Sequence, residues 1–130
     1  MTSERLSAKM LEEIKWAKFT VNFNAVAKLA HQMAKDKGFW DTGSGTSTET
    51  HAIKLALIHT ELSEALEALR LHDPPSDKLP GVSNFADEMA DVVIRVMDLC
   101  ESRSIPLGSI IMKKLECNMG RKHKHGGKAF

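Results

Sequence analysis

The sequence predicts an all-α protein, with four core helices and an additional helix at the N-terminus. Three observations carry this. Apolar residues recur at helical spacing along most of the chain, no stretch alternates as a strand would, and Gly-, Pro- and Ser-rich breaks fall between the helical segments. At 130 residues the chain has the length of one domain. We read residues 1–130 as that domain, with 1–21 as a helical arm and 121–130 as a basic tail.

The first helix is expected over residues 3–17, with Leu6, Met10, Leu11 and Ile14 at helical spacing and Ser3 as a cap. Asn22 opens a second, ending near Lys37, where Gly38 stands as a stop. Its apolar side holds Phe23, Val26, Ala27, Ala30 and Met33. Phe39 and Trp40 follow, ahead of a loop, TGSGTSTET. The aromatic pair either anchors that loop to the core or closes over a ligand. Thr46, Ser47 and Thr48 offer caps for the next helix, expected from Ala52 to Leu71. Pro74, Pro75 and Pro80 cannot continue it. Ser83 or Asn84 caps a fourth helix, Phe85 to Glu101, and a last one is expected from Leu107 to Met119, closed by Gly120.

The third and fourth helices carry the chemistry. Glu61 and Glu64 stand three apart on one, and Glu88 and Asp91 on the other, so each helix presents a carboxylate pair on one side. From Met89 to Cys100 nine of twelve residues are apolar, and the exceptions, Asp91, Arg95 and Asp98, share the side of Glu88. A helix apolar nearly all round is buried, so this polar stripe is expected to face inward. Packed together, the two helices would gather four acids, which is costly unless they are protonated, paired or neutralised by a cation. An all-oxygen set suits Mg²⁺, with Mn²⁺ as the alternative. Ordinary ion pairing is the competing explanation, through Arg95 and through Lys54, two turns before Glu61. Two cations balance half of four charges, and Asp98 adds a fifth acid. A di-iron carboxylate site is not indicated, because no Glu is followed by His three residues later.

A net charge of +1 gives no global case for nucleic acid or membrane. Cys100 and Cys117 make no disulfide framework and read as reduced thiols of a soluble cytoplasmic protein. Positive charge collects at the C-terminal end. Lys114, Asn118 and Arg121 follow at i, i+4 and i+7, and Lys124 continues the series. Arg grips phosphate bidentately and Lys as a point charge, so this side could hold phosphates. A solvated tail or a weak nucleic-acid patch is the plainer reading.

E-L-S-E at 61–64 with E-M-A-D at 88–91 resembles the paired E-x-x-E and E-x-x-D signature of the MazG-like nucleoside triphosphate pyrophosphohydrolases, the all-α superfamily that includes dCTP pyrophosphatases and dimeric dUTPases. K-G-F-W-D at 37–41, A-D-V-V-I-R at 90–95 and K-L-E-C-N-M-G-R-K-H-K-H-G at 114–126 are similar to stretches of small MazG-like proteins. The resemblance spans residues 22–130. It implies a four-helix bundle assembling as a homodimer or homotetramer, and Mg²⁺-dependent cleavage of a nucleoside triphosphate, a dNTP for preference, between the α and β phosphates. It implies Mg²⁺ on Glu61, Glu64, Glu88 and Asp91, and phosphate contacts from Lys114, Asn118 and Arg121. Lys124, from the basic run of the tail, and Arg95, from the acidic stripe, are further candidate substrate contacts. His31 and Trp40, nine apart, match base-contacting positions of the dCTP-pyrophosphatase branch. That branch has Tyr where this chain has Arg95, so its base and sugar preference does not transfer. Glu64 is the choice for orienting or deprotonating the attacking water, with Glu61 the alternative. Asp98 could be a metal ligand, a nucleotide contact or the partner of Arg95. The rivals are a helical interaction module whose tail binds nucleic acid, and a metal-dependent hydrolase of another nucleotide phosphate.

Overall fold

The computed structural model describes residues 2–14, 16–41 and 47–121. It contains five helices: α1 (Ser3–Glu13), α2 (Trp16–Asp36), α3 (Thr48–Arg70), α4 (Asn84–Ser102) and α5 (Leu107–Met119). No strand occurs among the described residues; one isolated bridge joins Pro75 to Ser83. None of these helices is long and apolar enough to cross a membrane. The expected loop at 42–46, and Lys124 with the rest of the tail beyond Arg121, lie outside the described residues.

Local chemistry sets the boundaries. The side chain of Ser47 accepts from the Thr50 N–H and begins α3, and Ser83 accepts from the Ala86 N–H and begins α4. Gly38, at φ 80°, takes the left-handed conformation that closes α2. The start of α2 departs from expectation: the helix begins at Trp16 and runs through Asn22. Phe19 and Phe23, one turn apart, meet with ring centroids at 5.6 Å, and an interior Asn costs a helix less than about 1 kcal/mol relative to Ala. The capping asparagine is Asn24 instead, and it caps a different helix. Its Oδ1 accepts from the Gly108 N–H at 3.1 Å, supplying α5 with the side-chain acceptor that its own N-cap, Pro106, lacks. A Cβ on residue 108 would stand 2.9 Å from that oxygen and 3.2 Å from the Thr20 carbonyl. Glycine is therefore what lets α5 approach α2 so closely there.

The chain divides into two compact units. One comprises Met1–Ala25 and Pro106–Phe130, in which α1 packs with α5. The other, Val26–Ile105, is dominated by α3 against α4. Its buried apolar residues are Ala27, Ile58, Ala65, Ala68 and Met97. Ile58, Glu61, Ala65 and Ala68 repeat at i, i+3, i+7 and i+10, the spacing of one helix face, and all four are buried. Small side chains at 65 and 68 let α4 come near. Much aliphatic surface stays outside, including Leu62, Leu66 and Leu69 of α3 and Val93 and Ile94 of α4.

Candidate metal centre

The face that α4 turns inward repeats the same spacing with polar residues: Glu88, Asp91, Arg95 and Asp98. The helix thus buries carboxylates while Val93 and Ile94 remain 47% exposed. Glu61 on α3 meets the first half of this stripe. One oxygen from each of Glu61, Glu88 and Asp91 falls within 4.8 Å of the others. Glu61 and Glu88 are buried, each at 7% exposure. Arg95 reaches across from α4 and donates through Nε to Glu61 Oε1 at 2.5 Å. No hydrogen bond reaches Glu88 Oε2, which is fully shielded. A buried carboxylate oxygen without a donor is costly, and this one points to a missing partner.

The electrostatics agree. Burial, then the neighbouring charge of Glu64, pushes the Glu88 carboxyl above its ordinary range. Burial, then Glu61, pushes Asp91 up as well. Glu64 itself is exposed and stands outside the close triad, yet near enough to act on Glu88.

The loop between α3 and α4 supplies residues that sequence patterning did not flag. Ser76 donates its hydroxyl to Asp87 Oδ2 at 2.6 Å and accepts the Lys78 and Leu79 N–H groups at 3.0 Å. This pins the loop to the start of α4, and Asp87 is buried with it. Lys78 is thereby held near the acids: Asp87 first, then Glu88 and Asp91, keep its ammonium above the usual lysine value. Lys54, the other cation expected to balance Glu61, goes elsewhere. Its ammonium donates to the Phe39 carbonyl and sits 4.4 Å from the Trp40 ring centroid.

Asp98, two turns beyond Asp91, is satisfied. His31 Nδ1 lies 2.7 Å from Oδ1, and Trp40 Nε1 donates to Oδ1 at 3.0 Å and Oδ2 at 3.3 Å. A carboxylate only accepts, so the His31 proton sits on Nδ1. Asp98 is the partner of His31 and Trp40, and Arg95 pairs with Glu61. Trp40 also meets His31 and His51 edge-on at 5.4 and 6.3 Å, and His51 Nδ1 accepts from Arg103 at 2.8 Å. The aromatic pair therefore splits: Trp40 is anchored, whereas Phe39 stays 63% exposed.

Beside the triad lies a pocket of about 400 Å³. Val26, Ala30 and Met33 of α2 and Phe39 belong to its apolar part, and Lys37, Glu61, Asp91, Arg95 and Asp98 form its charged part. His31 and Trp40 do not line it; they hold Asp98, which does. Of the basic series, Lys114 is exposed on α5, and Asn118 and Arg121 border a groove of about 700 Å³ between α1 and α5.

Comparison of the chain with protein-family models, with curated proteins and with solved structures found no match. Three oxygens within reach of one ion, an all-carboxylate donor set and an orphaned buried oxygen fit a small hard cation such as Mg²⁺ or Mn²⁺.

Proposed function

We propose that this protein is a Mg²⁺-dependent nucleoside triphosphate pyrophosphohydrolase of the MazG-like kind, cleaving between the α and β phosphates to release the monophosphate and pyrophosphate. One observation carries the reading: Glu61, Glu88 and Asp91 bring ligand oxygens within 4.8 Å of one another in a partly buried site, and one guanidinium is the sole ion-pairing partner among the described residues. That pair leaves Glu88 and Asp91 without a salt-bridging cation; exposed Lys78 acts on both without pairing to either. A divalent ion fills that role.

On this reading Glu61, Glu88 and Asp91 hold the ion. A divalent cation there stabilises charge on phosphoryl oxygens and brings the pKa of a bound water toward neutrality. Glu64, exposed and one turn from Glu61, orients and deprotonates the attacking water. The 400 Å³ pocket, apolar on one side and bounded by Glu61 and Asp91 on the other, receives the nucleoside next to the reacting phosphate. His31 and Trp40 stand behind it and hold Asp98 in its wall. The assignments of Lys114, Asn118 and Arg121 to phosphates rest on their motif. Exposed Leu62, Leu66, Val93 and Ile94 favour self-association into a homodimer or homotetramer.

The test is incubation with a panel of ribo- and deoxynucleoside triphosphates and Mg²⁺, scoring pyrophosphate separately from orthophosphate. Pyrophosphate with the matching monophosphate is the expected result. Orthophosphate alone would refute α–β cleavage. Glu64→Gln should abolish turnover and leave the melting temperature unchanged; an active variant would remove Glu64 from the reaction.

A further inference from the structure

We infer that Arg95 is an exchange cation. It holds Glu61 while no divalent ion is bound, surrenders that carboxylate to the ion, and then offers its guanidinium to an anionic oxygen of the substrate. This rests on the metal-centre reading above and adds a role that the acids alone do not imply.

Four observations carry it. The Arg95–Glu61 contact is the only ion pair that the triad makes among the described residues, at 2.5 Å. The two side chains are unequally buried, Glu61 at 9% exposure and Arg95 at 41%. The acid is fixed in the interior, and the long arginine stem near the surface is the partner free to move. Arg95 follows Asp91 by one helical turn and lines the same pocket as Glu61 and Asp91, so the released guanidinium remains where substrate enters. Its neighbours there on α4 are Asp91 and Asp98, and the latter already accepts from His31 and Trp40.

The chemistry follows from charge and shape. A divalent ion among three oxygens, one of them bonded to a guanidinium, is repelled by that guanidinium. Arginine and ion therefore weaken each other at Glu61. A phosphate removes the conflict, because its paired oxygens match the guanidinium fork. Metal and phosphate then bind with positive coupling through one side chain. Bare metal binds weakly, and the complete site forms when both ligands are present.

The experiment is calorimetric titration of Mn²⁺, without nucleotide, into the full chain as wild type, Arg95→Gln and Arg95→Lys. Arg95→Gln should bind Mn²⁺ about tenfold tighter, within the usual range of such couplings, and Arg95→Lys should stay near wild type because it restores the competing charge. Arg95→Met is a second neutral variant with the same expected tightening. In turnover assays the Mg²⁺ concentration giving half-maximal rate should fall in Arg95→Gln while the KM for the triphosphate rises. A purely structural arginine would not move these two in opposite directions. Equal or weaker Mn²⁺ binding by both neutral variants, with wild type binding normally, overturns the exchange and leaves the metal centre standing. Absence of Mn²⁺ binding by every protein, wild type included, overturns both.

Discussion

Two carboxylate sites lie two turns apart on the same face of α4, and they are built in opposite ways. Asp98 is surrounded by donors: an imidazole and an indole N–H converge on it. Glu88 and Asp91 face other acids, neither is paired with the nearby Lys78, and the buried Glu88 Oε2 has no donor at all. Asp98 is complete within the protein; the triad is not. Acidity and burial alone do not mark a ligand site. A deficit of donors does.

The contrast yields graded predictions. The largest effect is expected at the triad: Glu61→Gln or Asp91→Asn should abolish both turnover and the stabilisation conferred by Mg²⁺, read by activity and thermal melting. An unchanged Mg²⁺ response in either variant would break the contrast at its strong end. Next is Glu88→Gln, which removes a charge that the metal-free fold does not satisfy. Its amide can donate to a neighbouring carboxylate, so the metal-free variant should gain about 1–3 kcal/mol in urea unfolding, the scale of one unsatisfied buried polar group. It should also lose its Mg²⁺ response. Asp98→Asn should do the reverse. It removes the charge that His31 and Trp40 donate to and sets an amide donor on the Oδ2 side, where the Trp40 N–H also points, costing about 1–3 kcal/mol, by the same amount with and without Mg²⁺.

A smaller effect concerns pH. Burial first, and neighbouring acids after it, raise Glu88 and Asp91, so the folded chain binds protons more tightly than the unfolded one. The metal-free protein should therefore lose stability as pH climbs from the unfolded carboxylate range, about 4, through the raised values. Metal ligands must be ionised, so the gain from Mg²⁺ should grow over the same interval. Melting curves with and without Mg²⁺ across that range check both slopes. The smallest effect is expected at exposed Lys78. Lys78→Ala should tighten Mn²⁺ binding slightly and leave folding unchanged, because that ammonium only faces the acids from outside.

What the sequence made legible follows the rules of a single helix. Spacing alone put Glu88, Asp91, Arg95 and Asp98 on one face, and Ser47, Ser83 and Gly38 marked ends through their backbone chemistry. Residue type alone left the partners open. Spacing sets Arg95 beside Glu88 and Asp91 on its own helix, but its bond is to Glu61 across the gap. Spacing sets Lys54 on the side of Glu61, yet Phe39 and Trp40 hold it. Both depend on which helices meet, a property of tertiary packing that periodicity does not contain. Ser76, Lys78 and Asp87 were missed for the same reason: their relation is made by a loop folding back on a helix start. Asn22 marks no boundary because a capping residue type is also tolerated inside a helix at small cost, and α2 runs through it from Trp16.

The central claim is that a divalent ion completes Glu61, Glu88 and Asp91. The most direct measurement is the melting temperature of the wild-type chain across a Mg²⁺ series near neutral pH. Binding to the folded state alone should raise it progressively, by about 2.7 kcal/mol of stability at a hundredfold excess over Kd. A melting temperature that stays flat from zero to saturating Mg²⁺, with the same result for Mn²⁺, would contradict it.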